Sequence, residues 1–225
     1  MLDFEIDEGA DDEAIFITLT SRTLTEITDI YGGRNLQIFT SGGEYAILES
    51  STTAATINAR NQTSNGSLYI AVQEADGSVI FCDKNGKTLR EYAYTFNEDS
   101  YASNDITVLS SHLITTPTDA AFLTGTASDD SNWLFTLNTD GTASILNKLR
   151  AQDINAFTAM SLVTQFNLTT KMEAVEVVDE EAYFVVKRFN GSDTEISTIE
   201  KLDFSSLTDG SVTGTATGTK SGTLS

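Results

Sequence analysis

Six Asx-Gly pairs constrain the fold of this chain more than any other feature: Asn65-Gly66, Asp76-Gly77, Asn85-Gly86, Asp140-Gly141, Asn190-Gly191 and Asp209-Gly210. Both residues of such a pair tolerate positive φ, which the two-residue turn of a β-hairpin requires. The flanking residues agree. Leu68 to Val72 precedes Asp76-Gly77 and Val79 to Cys82 follows; Trp133 to Leu137 precedes Asp140-Gly141 and Ala143 to Leu149 follows. Ala182 to Val186 precedes Asn190-Gly191, with Glu195 to Leu202 beyond it. Threonine, which suits half-exposed pleated strands, is abundant throughout. The pattern predicts about a dozen or more short strands at the ~8–12-residue spacing of all-β architectures.

Repetition is visible but loose. Segments beginning near Asn35, Ser67, Asn132 and Ala182 each open on an apolar strand, and the last three turn at an Asx-Gly pair into a second one. The expected fold class is all-β, a propeller-like arrangement of antiparallel meanders with one short helix. One helical turn or two is expected within Asp105–Leu113, where Ile106, Leu109 and Leu113 share a face and Asn104 or Asp105 supplies the cap. Pro117 closes the connection. Residues 1–13 read as an acidic N-terminal segment, 14–205 as the β-propeller-like domain, and 206–225 as a Thr/Ser/Gly-rich linker or tail.

The residues offer little catalytic chemistry. No apolar run approaches the ~20 residues of a transmembrane helix, and the acidic N-terminus does not read as a signal peptide. Cys82 sits in an alternating apolar context and reads as a half-buried thiol. His112 is the one histidine, and no GxSxG elbow accompanies it. One His and one Cys do not make a closed zinc site. The adjacent acids Glu98 and Asp99, or Asp129 and Asp130, read as solvated turns rather than a glycosidase pair. Asp7, Glu8, Asp11, Asp12 and Glu13 lack the loop spacing of a calcium site. Gly32-Gly33 and Gly42-Gly43 lack the lysine of a phosphate loop. No enzyme activity, cofactor or metal is expected.

The charge balance is extreme, with 33 acidic against 13 basic residues and a net charge of −20. Static nucleic-acid binding depends on Lys and Arg neutralising phosphates, so a sequence-reading DNA binder is not expected. Such a surface suits simple solubility, a basic partner, a high-salt habitat, or a passage whose walls must not hold DNA. The best candidate interface is the aromatic, acidic stretch in which Tyr92, Tyr94, Phe96 and Tyr101 interleave with Glu98 and Asp99. The competing reading of these aromatics is ordinary hairpin packing.

Four segments, in order, resemble the β-rich nozzle or hub proteins of short-tailed phages, often called tail tubular protein B. They are Asn35 to Ile47, Val79 to Tyr94, Tyr101 to Ile114, and Lys171 to Leu202. The third, with Asp105-Ile106-Thr107 and His112-Leu113, is the most specific. Phe157 stands where that family usually has tryptophan. Its members are longer, so the chain reads as either an excised or a divergent portion of such a protein. The resemblance implies a non-catalytic virion component in the phage tail, assembled in the host cytoplasm. Its partners would be other copies in a ring, the tail adaptor and other tail proteins, with DNA passing through unbound and no membrane insertion. The alternative is a propeller-class carbohydrate-binding or glycan-hydrolysing module for host recognition.

Overall fold

In a computed structural model of the chain, the described residues are 15, 17–21, 24–48, 53, 56–125, 132–149, 152, 154–162, 170–189 and 195–203. Among them fifteen strands and the 3₁₀ turn Ser111–Leu113 are divided between two units, Met1–Ser111 and His112–Ser225. Every sheet is an antiparallel meander in which strands adjacent in sequence are adjacent in space. The expected all-β architecture of meanders is what the chain adopts.

The first unit holds two four-stranded sheets. One comprises β1 (Ile27–Gly32), β2 (Leu36–Thr40), β3 (Gly43–Ile47) and β4 (Ala59–Thr63). The other comprises β5 (Gln73–Ala75), β6 (Ser78–Cys82), β7 (Leu89–Thr95) and β8 (Ser100–Asp105). Strands β2 and β3 are buried on both faces. Ile38, Tyr45 and Ile47 pack on one side with Ile17, Leu19 and Ile57. On the other side Phe39 and Ala46 meet Val79, Phe81, Tyr92 and Tyr101 of the second sheet.

The second unit places a four-stranded sheet beside a three-stranded one. The larger contains β9 (Pro117–Leu123), β10 (Asn132–Asn138), β11 (Ala143–Leu149) and β12 (Ile154–Met160). The smaller contains β13 (Lys171–Val178), β14 (Glu181–Phe189) and β15 (Glu195–Lys201). Their shared core joins Phe135, Leu137 and Ile145 to Met172, Val175, Phe184 and Val186. Phe135 and Phe184 meet edge-to-face, ring centres 5.5 Å apart. The carboxylate of Asp119 on β9 accepts the Val175 amide of β13 at 2.9 Å, fastening the sheets at one edge.

Turn chemistry accounts for much of the meander. Ala75 pairs with Ser78 around Asp76 and Gly77, whose φ values of 52° and 73° make a type I′ turn. Gly86 and Gly141 likewise adopt positive φ between β6–β7 and β10–β11. Asn65-Gly66 departs from the hairpin reading. It follows β4 and leads into Ser67, which bridges to Asp83, so it connects one sheet to the next. The pairs Asn190-Gly191 and Asp209-Gly210 lie outside the described residues. One type I′ hairpin has no glycine: Val178 pairs with Glu181 around Asp179 and Glu180, with φ of 51° and 63°.

Within Asp105–Leu113 the expected short helix is present, but the shared apolar face is not. Only Ser111–Leu113 is helical, as one 3₁₀ turn, and Leu109 is 91% exposed rather than packed with Ile106 and Leu113. Asp105 explains why. Its Oδ1 accepts both the amide and the hydroxyl of Thr107, at 2.7 and 2.8 Å, an Asx turn that competes with helix formation. The buried Thr107 hydroxyl in turn accepts the Leu89 amide at 3.3 Å and ties the turn to β7.

The two turn chemistries predict opposite responses to substitution. A Cβ on Gly141, at φ +87°, would stand 2.5 Å from the Lys171 side chain. Gly141→Ala should cost about 1–3 kcal/mol. Glu180→Gly, which relieves a left-handed residue, should be neutral or stabilising by up to about 1 kcal/mol. Urea unfolding of the two variants beside the parent checks both signs.

Candidate interface on the aromatic hairpin

The β7–β8 hairpin sets Tyr94 directly opposite Tyr101 and Tyr92 opposite Ser103, and closes through the loop 96–99. Alternation puts Tyr92 and Tyr94 on one face, so the rings of Tyr92, Tyr101 and Tyr94 form a file along the hairpin. Tyr92 and Tyr101 stack at 4.8 Å, and Tyr94 meets Tyr101 edge-on at 5.5 Å. Tyr92 also contacts Phe39 and Phe81, at 5.4 and 6.4 Å between centres.

The six residues expected at an interface therefore divide. Tyr92 is fully buried and Tyr101 nearly so; both belong to the core of the first unit. Tyr94 is half-buried, and Phe96, Glu98 and Asp99 are on the surface, Phe96 being 86% exposed. The hairpin-packing reading thus describes the inner end of the file, while the loop tip is exposed. Tyr94 donates its hydroxyl to Asp99 Oδ1, which raises the phenol's pKa above its ordinary value. The Arg34 guanidinium lies 5.3 Å from the centre of the Tyr94 ring, a cation–π contact.

Three residues that the sequence pattern did not single out hold this hairpin against the first sheet. Gln62 Oε1 accepts the Tyr101 amide at 2.9 Å, and Asn35 Oδ1 accepts the Tyr101 hydroxyl at 3.1 Å. Arg34 is the third. No periodicity marks such residues, because their partners are dozens of positions away.

The sheet is electrically polarised. Meander topology puts the turns 76–77 and 96–99 at the same end, which carries Asp76, Glu98 and Asp99. The opposite end, at the β6–β7 turn, carries Lys84, Lys87 and Arg90 against two acids, Asp83, ion-paired to Arg90 at 2.8 Å, and Asp105, opposite Arg90 in the register.

A second polar feature lies inside the unit. Glu44 is opposite Phe39 in the β2–β3 register and is fully buried. Its Oε2 accepts the Thr63 hydroxyl and the Asn65 amide, while Oε1 has no protein partner. The Tyr92 hydroxyl and Gln37 Oε1 are also buried without a protein partner. Burial above all pushes the Glu44 carboxyl up from its ordinary value, and Asp83 adds to the rise against its hydrogen bonds. A single acid immediately before the apolar run Tyr45-Ala46-Ile47 was the one sequence signal for it.

The other candidates stay apart from any such cluster. Cys82 is buried, its thiol pushed up to about 12 by burial and Asp83. His112 is exposed on the 3₁₀ turn. Among the described residues no group of three or more His, Cys, Asp or Glu side chains is placed to hold a metal. Asp129, Asp130 and the acids Asp7 to Glu13 lie outside the described residues.

No protein-family model matches the chain, and no curated protein matches it. The arrangement can therefore be read only from its own chemistry: a rigid aromatic stem, an exposed apolar tip and an acidic rim.

Two measurements probe the site. Phe96→Ala should change unfolding free energy by less than about 0.5 kcal/mol, whereas Tyr92→Ala should cost about 3–5 kcal/mol; chemical denaturation of both reads the contrast. For Glu44 the folded pKa is raised, so the stability it contributes is present below the ordinary value of 4.5 and is lost as pH rises through the raised value. Glu44→Gln should abolish that loss, so denaturation midpoints of parent and variant should diverge with rising pH.

Proposed function

We propose that the chain is a structural, non-catalytic component of a phage tail, a nozzle or hub part that joins copies of itself in a ring around the DNA channel. The observation that carries this reading is the build of Val79 to Ile114, where the resemblance to tail nozzle proteins is most specific. That stretch supplies β6, β7 and β8 and the Asx turn after them, and it ends in a sheet with an acidic, aromatic tip and a basic opposite end. Opposite ends of one element are suited to head-to-tail association, in which the tip of one copy meets the basic end of the next. Phe96 at the tip supplies an apolar anchor within a charged rim.

The net charge of −20 fits the same role. Duplex DNA carries one negative charge per about 1.7 Å of its axis, so an acidic passage offers the genome no place to stick. The partners are other copies, the tail adaptor and neighbouring tail proteins, and the location is the virion tail after assembly in the host cytoplasm.

A second reading is a carbohydrate-binding or glycan-hydrolysing module. The exposed rings of Phe96 and Tyr69 favour it, since sugars stack on accessible aromatics. Mass photometry and negative-stain microscopy over rising protein concentration test the ring. Discrete higher assemblies, weakened by Glu98→Lys, are expected; a chain that stays monomeric throughout counts against the proposal. Turnover of an intact cell-surface polysaccharide in a parallel assay would favour the second reading instead.

A further inference from the structure

The second unit contains an edge that is complementary to itself. Its smaller sheet ends at β15, which pairs with β14 on one side and with no strand on the other among the described residues. Ile199 is 77% exposed and Ile196 is 40% exposed on this edge strand. Unpaired edges with exposed apolar side chains are templates for pairing with another chain.

The register decides which backbone groups are available. The Leu202 amide donates to the Ala182 carbonyl at 2.9 Å, and Tyr183 is opposite Lys201. In an antiparallel ladder bonded and non-bonded pairs alternate, so Ile196, Thr198 and Glu200 face β14 with their amides and carbonyls. Glu195, Ser197, Ile199 and Lys201 turn theirs outward.

We propose that β15 pairs antiparallel with β15 of a second copy of this chain, about a two-fold axis passing between the two Thr198 residues. This register matches outward-facing residues with each other over the whole strand. It sets Glu195 opposite Lys201 of the second copy, and Lys201 opposite Glu195 of the second copy. A shift of two residues in one direction brings Glu195 against Asp203 of the second copy, and in the other leaves Glu195 facing Ile199. Only the centred register is complementary in charge at both ends. It also puts the two Ile199 side chains at diagonal positions on one face and the two Thr198 side chains opposite each other on the other, both favourable cross-strand arrangements.

Existing ion pairs extend the match. Lys201 meets Glu181 at 2.9 Å, and Lys187 meets Glu195 and, at 3.2 Å, Glu173. Pairing two edges therefore joins Glu181, Lys201, Glu195 of the second copy, Lys187 of the second copy and Glu173 of the second copy into one ladder of alternating charge. The contact goes beyond the ring proposed above. A cyclic ring points all copies the same way, whereas this contact relates copies by a two-fold axis. It belongs to the free protein, where it shields the edge.

Sedimentation velocity on the full chain, over concentration and salt, tests the contact. A dimer that weakens with added salt is expected. Glu195→Lys or Lys201→Glu alone should weaken it at least about 10-fold, and the double exchange should restore it to within about 3-fold. Each single exchange also disturbs a pair within its own copy, so restoration by the double variant reports the contact between copies. Ile199→Lys, on a side chain already in solvent, should give the same loss with an unchanged circular dichroism spectrum. A monomer at every concentration up to about 1 mM, the weak end of specific association, would overturn the proposal. So would a dimer indifferent to the single exchanges, or one not restored by the double. Survival of higher ring assemblies in the same variants separates this contact from the ring.

Discussion

A sheet with an apolar face must bury that face against another element, and each unit of this protein meets the constraint by pressing two sheets together. In the first unit the contact is aromatic: Phe39 from one sheet against Phe81 and Tyr92 from the other, with Phe39 and Phe81 centred 5.3 Å apart. In the second it is the Phe135–Phe184 contact within an aliphatic surround. Turn geometry, register and the placement of the surface loops all follow from which face of each strand must reach these contacts. A one-residue slip of β7 would carry Tyr92 off the core face and bring Glu91 or Ala93 in.

That dependence also explains what the sequence could and could not disclose. Asp76-Gly77 and Asp140-Gly141 were legible as turns because glycine at positive φ is a local requirement. Asp179-Glu180 was not, because its hairpin is held by the pairing of β13 with β14 and tolerates two left-handed acids without a glycine. Ile106, Leu109 and Leu113 looked helical by spacing alone; the Asp105–Thr107 turn overrode the spacing through two hydrogen bonds. The aromatics of Tyr92 to Tyr101 were visible as a group, but alternation along a hairpin does not say how deep each ring goes. Depth came from Phe39 and Ala46, residues of another sheet.

Charge tells a similar story at two scales. On the surface, acids gather at hairpin tips, where Asp76, Asp99, Asp179 and Glu180 all adopt positive φ. Turn conformation and electrostatic surface are thus set by the same residues. Inside, Glu44 joins the edge of the aromatic core to the loop that carries Gly66. A Cβ on Gly66 would stand 2.5 Å from the Ser41 carbonyl, so this loop lies directly against the turn between β2 and β3. The buried acid and the close-packed loop form one seam between the two sheets.

The fastening of Tyr101 has a consequence for how this protein could change over evolutionary time. Its amide is held by Gln62, its hydroxyl by Asn35 and its ring by Tyr92, all at or inside the Tyr94–Tyr101 pair. The register of the hairpin is therefore set at and below the Tyr94–Tyr101 pair, short of the Thr95–Ser100 pair that closes the loop. Residues beyond that point inherit their direction without helping to determine it. The loop 96–99 is free to lengthen, shorten or exchange its aromatic for another side chain at little cost to the sheet beneath. Variation in what the tip touches is thereby uncoupled from the stability of the fold that carries it.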